Sequence, residues 1–188
     1  MSVPHSTQAG TADNIVLIGP MGSGKTAVAK ALARLLGWSF VDCDALLEKR
    51  TGVDIAYIFE KEGEAGFRVR EAELMQSLLG SRHSVFATGG GVVLREQNQA
   101  GLPRLGYVVY LRTSVAEQVR RTQKSTHRPL LRDVDPVQRL TELMAIRAPL
   151  YERLAHLTVD TDQSQAAAVA QRIYNAYQAS GLTHKSDE

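Results

Sequence analysis

Eight residues, GPMGSGKT at positions 19–26, stand between an apolar run, NIVLI at 14–18, and a helix-forming stretch, AVAKALARLL at 27–36, closed by Gly37. The apolar run has the length and composition of a parallel strand buried on both faces. The stretch behind it is rich in strong helix formers, with glycine at the position that ends a helix. The eight residues fit G-x-x-x-x-G-K-[ST], and between a strand and a helix that pattern is a phosphate-binding loop. Its glycines let successive backbone N–H groups face one anion, and the helix N-terminus adds partial positive charge. The amides of Gly22, Ser23, Gly24, Lys25, Thr26 and Ala27 are expected to hold a phosphate chain. Lys25 is expected to reach the β- and γ-phosphates, and the Thr26 hydroxyl to offer Mg²⁺ a hard oxygen. The loop implies a bound nucleoside triphosphate.

The rest of the chain alternates strand and helix signals. Further strands are expected at 39–41, 84–87, 107–111 and 157–159. Helices are expected at 45–50, 55–62, 64–79, 137–154 and 164–179, with Gly63 ending one and Pro149 kinking or breaking another. Ser114 and Glu117 form a capping box that opens a further helix. This alternation predicts a parallel sheet covered on both faces, an α/β fold with ligands at the carboxyl ends of its strands. Residues 19–26, 42–44 and 88–91 fall there. A length of 188 residues, 44% of them apolar, suits one domain over 14–181 with polar tails at 1–13 and 182–188. Residues 122–135 carry Lys124, His127, Arg128 and Arg132, with Pro129 and Pro136 interrupting any helix. A basic excursion of this length reads as an active-site lid or as a solvated loop.

Several classes are disfavoured. A net charge of +2 does not imply a nucleic-acid or membrane partner. No apolar run approaches the ~20 residues that span a bilayer, and residues 1–13 lack the pattern of a secretory signal. The single cysteine, Cys43, excludes an internal disulfide and fits a reducing compartment, so a cytoplasmic location is expected. Between two aspartates, Cys43 reads as a small buried filler.

Asp42 and Asp44 suggest the chemistry. In an extended segment, residues two apart point to the same side, so both carboxylates can face the phosphate site. One suits the Mg²⁺ shell, and the other can orient a substrate hydroxyl toward the γ-phosphorus. Asp44 has an alternative role as cap of the following helix. The third and fourth strands end in Thr88 and Arg112. The lack of an aspartate there leaves Asp42 as the metal-side carboxylate and argues for a bound acceptor over an activated water. Arg68, Arg128 and Arg147 are candidates for gripping carboxylate or phosphate bidentately; Arg70, Arg82, Arg95 and Arg139 read as surface ion-pair partners. Gly89, Gly90 and Gly91 leave bare backbone for a small polar ligand or simply form a tight turn.

These elements resemble the shikimate kinase family. The resemblance rests on the 19–26 loop, FVDCD at 40–44, GEAGFR at 63–68 with Glu71, and ATGGG at 87–91. RPLL at 128–131 and Arg147 four residues before Tyr151 complete it, all in order across about 14–173. It implies a nucleoside-monophosphate-kinase-like three-layer sandwich, with a five-stranded parallel sheet in order 2-3-1-4-5 and a mobile lid. The implied reaction is transfer of the ATP γ-phosphoryl to the 3-hydroxyl of shikimate, on the route to chorismate and aromatic amino acids, by a monomer.

By the same resemblance Asp44 binds the acceptor hydroxyl, while Arg68, Arg147 and the amides of Gly89, Gly90 and Gly91 hold the substrate. Thr26 and Asp42 organise Mg²⁺, and Lys25 with Arg128 stabilises the moving phosphoryl group. Glu71, three positions on from Arg68, can pair with it on one helix face. Residues 162–166, DQSQA, depart from the arginine and proline that some relatives place against adenine. That contact is therefore expected from Arg121 with Gln163 or Ser164. The alternatives are a gluconate-kinase-like enzyme of the same fold and a non-catalytic nucleotide-binding module.

Overall fold

The computed structural model describes residues 13–123 and 135–181. Expectations for the two tails beyond those bounds, and for Lys124, His127, Arg128 and Arg132, lie outside the described residues. Of the expected lid, Thr122, Gln123 and Asp135 are described: Thr122 ends a helix that Gln123 caps, and Asp135 opens the next.

The chain runs β1 (Asn14–Ile18), α1 (Lys25–Leu36), β2 (Ser39–Asp42), α2 (Cys43–Thr51), α3 (Ile55–Ser77) and β3 (Ser84–Ala87). It continues through a 3₁₀ turn (Val92–Leu94), α4 (Glu96–Leu105), β4 (Tyr107–Arg112), α5 (Val115–Thr122), α6 (Pro136–Leu154), β5 (Leu157–Asp160) and α7 (Ala166–Ala179). The five strands pair in parallel in the order β2-β3-β1-β4-β5, as expected. β1 is central because every one of its residues is buried. Its alternating side chains feed opposite layers. Val16 and Ile18 join the core with Leu47, Phe67 and Leu102, whereas Ile15 and Leu17 join Val28, Leu32 and Ile173. Truncating any of these to alanine would cost about 2–5 kcal/mol.

Two local expectations need correction, and one element falls where none was placed. α4 lies in a segment with no expected helix; Asn98, Gly101, Leu102 and Leu105 form its buried face at helical spacing. Pro149 neither ends nor splits α6. It is exposed, and so is Ala145, whose carbonyl loses a partner there, so water can replace the bond. The capping box is half made. Ser114 Oγ accepts from Glu117 N at 3.2 Å, but the Glu117 carboxylate goes to Arg120 and Arg121. Ser114 N donates instead to Asp162 Oδ1 at 3.0 Å. Charged partners outcompete the cap. Gly63 does break α3 at φ 69° and ψ −177°, turning residues 55–62 away from 64–77.

Candidate active site

At the carboxyl end of β1 the 19–26 loop curls through Gly22 (φ 78°) and Gly24 (φ 87°), left-handed conformations that glycine adopts without penalty. Gly24 is the N-cap of α1; no side chain caps this helix among the described residues, and its first turn holds no acid. Its leading N–H groups and positive dipole end thus face the cavity. Lys25 Nζ arches over the loop, donating to the carbonyls of Gly19 at 2.8 Å and Pro20 at 2.7 Å and to Ser23 Oγ at 3.2 Å. Ser23 is buried and braces the lysine from inside.

Asp42 ends β2 with its carboxylate divided. Oδ2 accepts from Thr26 Oγ1 at 2.9 Å, and Oδ1 accepts from the amides of Asp44 at 3.1 Å and Ala45 at 3.2 Å. Asp42 is therefore the N-cap of α2, a role expected as the alternative for Asp44. Asp44 stands in the first helical turn, not in an extended segment. It still lines the cavity that Lys25 and Thr26 line, close enough for Lys25 to act on its charge.

Two cavities meet here. One, of about 370 Å³, is lined by Lys25, Thr26, Asp42 and Arg121, with Gly22, Gly24 and Ala27. The other, of about 530 Å³, is lined by Arg68, Arg147, Gly89, Gly91, Phe59 and Phe67. Asp44, Gly90 and Met21 line both. Burial, reinforced by the Glu71 and Asp42 carboxylates, pushes the Asp44 carboxyl up to about 6 against the opposing pull of Lys25 and Arg68.

The second cavity is cationic on one wall. Arg68 is buried and bonded to Glu71 at 2.8 Å and to Glu64 at 3.0 Å. Burial alone would lower its pKa, but those carboxylates outweigh it and hold the guanidinium charged. Its Cζ lies over the Phe67 ring, 4.9 Å from the ring centre. A Cβ on Gly91 would overlap the Arg68 guanidinium, and one on Gly89 would stand 2.8 Å from Glu71 Oε1 and 3.1 Å from Asp44 Oδ1. The glycines are thus required by the charged groups packed against them. Arg147 is buried in α6, and that burial lowers its pKa from the ordinary value.

Arg121 lines the 370 Å³ cavity. Its guanidinium donates to the Gly22 carbonyl at 3.1 Å and the Thr161 carbonyl at 2.7 Å, and pairs with Glu117 at 2.6 Å. Gln163 is exposed, with φ 54°, and lines neither cavity. Ser164 is tied to Arg172 at 3.0 Å. Arg128 lies outside the described residues. No group of three or more His, Cys, Asp or Glu side chains suited to a metal occurs among the described residues. The Thr26 hydroxyl and Asp42 carboxylate nevertheless fit Mg²⁺, which takes few protein oxygens and keeps waters and phosphates. Sequence reasoning missed Met21, Phe59 and Phe67 as cavity walls. The two phenylalanines fall on either side of the Gly63 break, and their rings stand 4.9 Å apart.

Known proteins resemble this chain over most of its length. The family model for shikimate kinase matches residues 21–178. A shikimate kinase from Methylococcus capsulatus is 51% identical over 174 residues, covering 93% of this chain and 97% of that protein. One from Thioalkalivibrio sulfidiphilus is 52% identical over 164 residues, covering 87% of this chain and 86% of that protein. Among solved structures, shikimate kinase from Acinetobacter baumannii in complex with shikimate superposes with a TM-score of 0.88 at 45% identity, covering 92% of this chain and 97% of that one.

Proposed function

The chain belongs to the shikimate kinase family, and from that premise we propose how its own residues move a phosphoryl group from ATP to the 3-hydroxyl of shikimate. Its activity is that of an ATP-dependent kinase of shikimate. The observation that carries the reading is that Asp44 and Gly90 line both cavities, so donor and acceptor meet at one carboxylate.

The triphosphate lies along the 22–27 amides, with Lys25 turning from its loop carbonyls to the β- and γ-phosphates. Arg68 and Arg147 grip the substrate carboxylate, and the bare backbone at 89–91 admits the ring. Asp44 accepts the hydrogen bond of the 3-hydroxyl and aims that oxygen at the γ-phosphorus. As the new O–P bond forms, the bond from the γ-phosphorus to the β–γ bridging oxygen breaks, and the hydroxyl proton passes to Asp44. A carboxyl raised to about 6 is largely ionised at neutral pH yet more basic than an exposed aspartate. Thr26 and Asp42 would hold Mg²⁺, which when bound neutralises charge on the β- and γ-phosphates. Arg128 is assigned to the same charge from the lid side, and Arg121 to the adenine side.

No helix among the described residues is long and apolar enough to cross a membrane. The lone Cys43 is buried and forms no disulfide, which fits the reducing cytoplasm, and we take the chain to act there as a monomer on small molecules. The test is an ADP-coupled assay with shikimate and gluconate offered separately. Turnover of shikimate is expected; turnover of gluconate alone would replace the assignment, and nucleotide binding without turnover of either would favour a non-catalytic module.

A further inference from the structure

Tyr151 is fully buried in α6, one turn after Arg147, with its ring stacked on Tyr110 at a centroid distance of 5.0 Å. Its hydroxyl donates to the Gly90 carbonyl, a bond across 61 residues of sequence. The Arg147 guanidinium is the cationic neighbour of this phenol, opposing the rise that burial gives its pKa. A phenol has one proton to donate and lone pairs to accept with, so one atom can serve both partners. Gly90 is where the two cavities join. A Cβ placed on it would stand 3.4 Å from Met21 N, 3.5 Å from the Gly19 carbonyl oxygen and 3.6 Å from Arg147 Nη1. Gly90 thus lies beside both the phosphate loop and the arginine.

We propose that Tyr151 is a positioning residue: its hydroxyl fixes the Gly90 peptide and the Arg147 guanidinium in one relative geometry, and so sets where the acceptor sits against the phosphate loop. The inference rests on the reading of the 530 Å³ cavity as the acceptor pocket. Burial argues for a specific duty. A side chain needed only to fill α6 against β4 would be as well served by phenylalanine, with no polar atom to satisfy. The hydroxyl is retained where a carbonyl and a guanidinium both need a partner. Tyr151 touches neither substrate in this scheme and acts through Gly90 and Arg147.

The experiment is Tyr151→Phe, which keeps the ring and its stack on Tyr110. The KM for shikimate is expected to rise about tenfold, the scale of one buried group left unpaired. The KM for ATP should stay within about twofold, because the phosphate loop keeps its own hydrogen bonds. A double-mutant cycle with Arg147→Gln should be non-additive, the second substitution adding little once the first is made. An unchanged shikimate KM, equal rises for both substrates, or full additivity with Arg147→Gln would each overturn the proposal. A wild-type protein that ignores shikimate would sink the acceptor assignment itself, a separate outcome. Circular dichroism melting of Tyr151→Phe guards against general loosening, and Tyr110→Phe, which removes the other hydroxyl of the stacked pair without touching Gly90, should leave the shikimate KM unchanged.

Discussion

Thr26 Oγ1 and Asp42 Oδ2 are 2.9 Å apart, joining the end of the phosphate loop to the end of β2, while the other oxygen of the same carboxylate caps α2. These duties can be separated. Asparagine caps helices as well as aspartate but is a poorer ligand for a hard cation. Asp42→Asn is therefore expected to melt within a few degrees of the wild type while needing several-fold more Mg²⁺ for half-maximal activity. Asp42→Ala should lose about 1 kcal/mol of stability as well. A Mg²⁺ titration of both variants checks this, and identical curves for Asn and wild type would remove Asp42 from the metal site.

Asp44→Asn keeps the shape of the junction but cannot take the hydroxyl proton. General-base roles are worth about 10²–10⁴-fold in rate, so kcat should fall by at least about 10² while ATP affinity by calorimetry is retained. An unchanged turnover number would mean that Asp44 only shapes the pocket.

Gly91→Ala would drive a methyl group into the seat of the Arg68 guanidinium. The backbone there, at φ −99°, is open to alanine, so the strain falls on the arginine, which its bonds to Glu71 and Glu64 hold in place. Loss of one charge-assisted contact to the acceptor, roughly 1.5–3 kcal/mol, corresponds to a rise in shikimate KM of about 10- to 100-fold. ATP binding should be nearly unaffected. Steady-state kinetics with each substrate varied separately reads both numbers, and a parallel loss of ATP affinity would point to a collapsed fold.

The sequence was most legible where neighbours in the chain are neighbours in space. Strand, loop and helix over 14–36 could be read directly, and so could the sheet order once the family resemblance was seen. Arg68 and Glu71 share a helix turn, and their pairing followed from spacing. What escaped was set by distant packing. Gly90 comes from the loop after β3 while Arg147 and Tyr151 come from α6, and no local pattern says that one phenol lies between them. Asp42 took the cap expected for Asp44 because α2 begins at Cys43, two residues before the expected start. Gln163, expected from its position after β5, is exposed at φ 54° and is not among the residues lining the 370 Å³ cavity.

A last prediction concerns stability alone. His156 Nδ1 accepts a hydrogen bond from the Val108 amide at 2.9 Å, and its ring stacks on Tyr107 at 5.4 Å. A protonated ring would turn that acceptor into a donor facing another donor. Burial therefore holds its pKa below the ordinary 6.5. Folding favours the neutral ring, so the stability it contributes is fully present above about 6.5, the value in the unfolded chain. As pH falls below that value the unfolded chain binds a proton that the folded ring refuses. The contribution then fades until the depressed folded pKa is passed. His156→Gln removes the titration while leaving an amide oxygen that can accept from Val108. The melting temperature of the wild type should thus exceed that of the variant at pH 8, and the gap should narrow steadily below about pH 6.5. Melting curves at matched ionic strength between pH 5 and 8 measure it, and a gap that stays constant over that range would show that His156 is not protonation-linked to the fold.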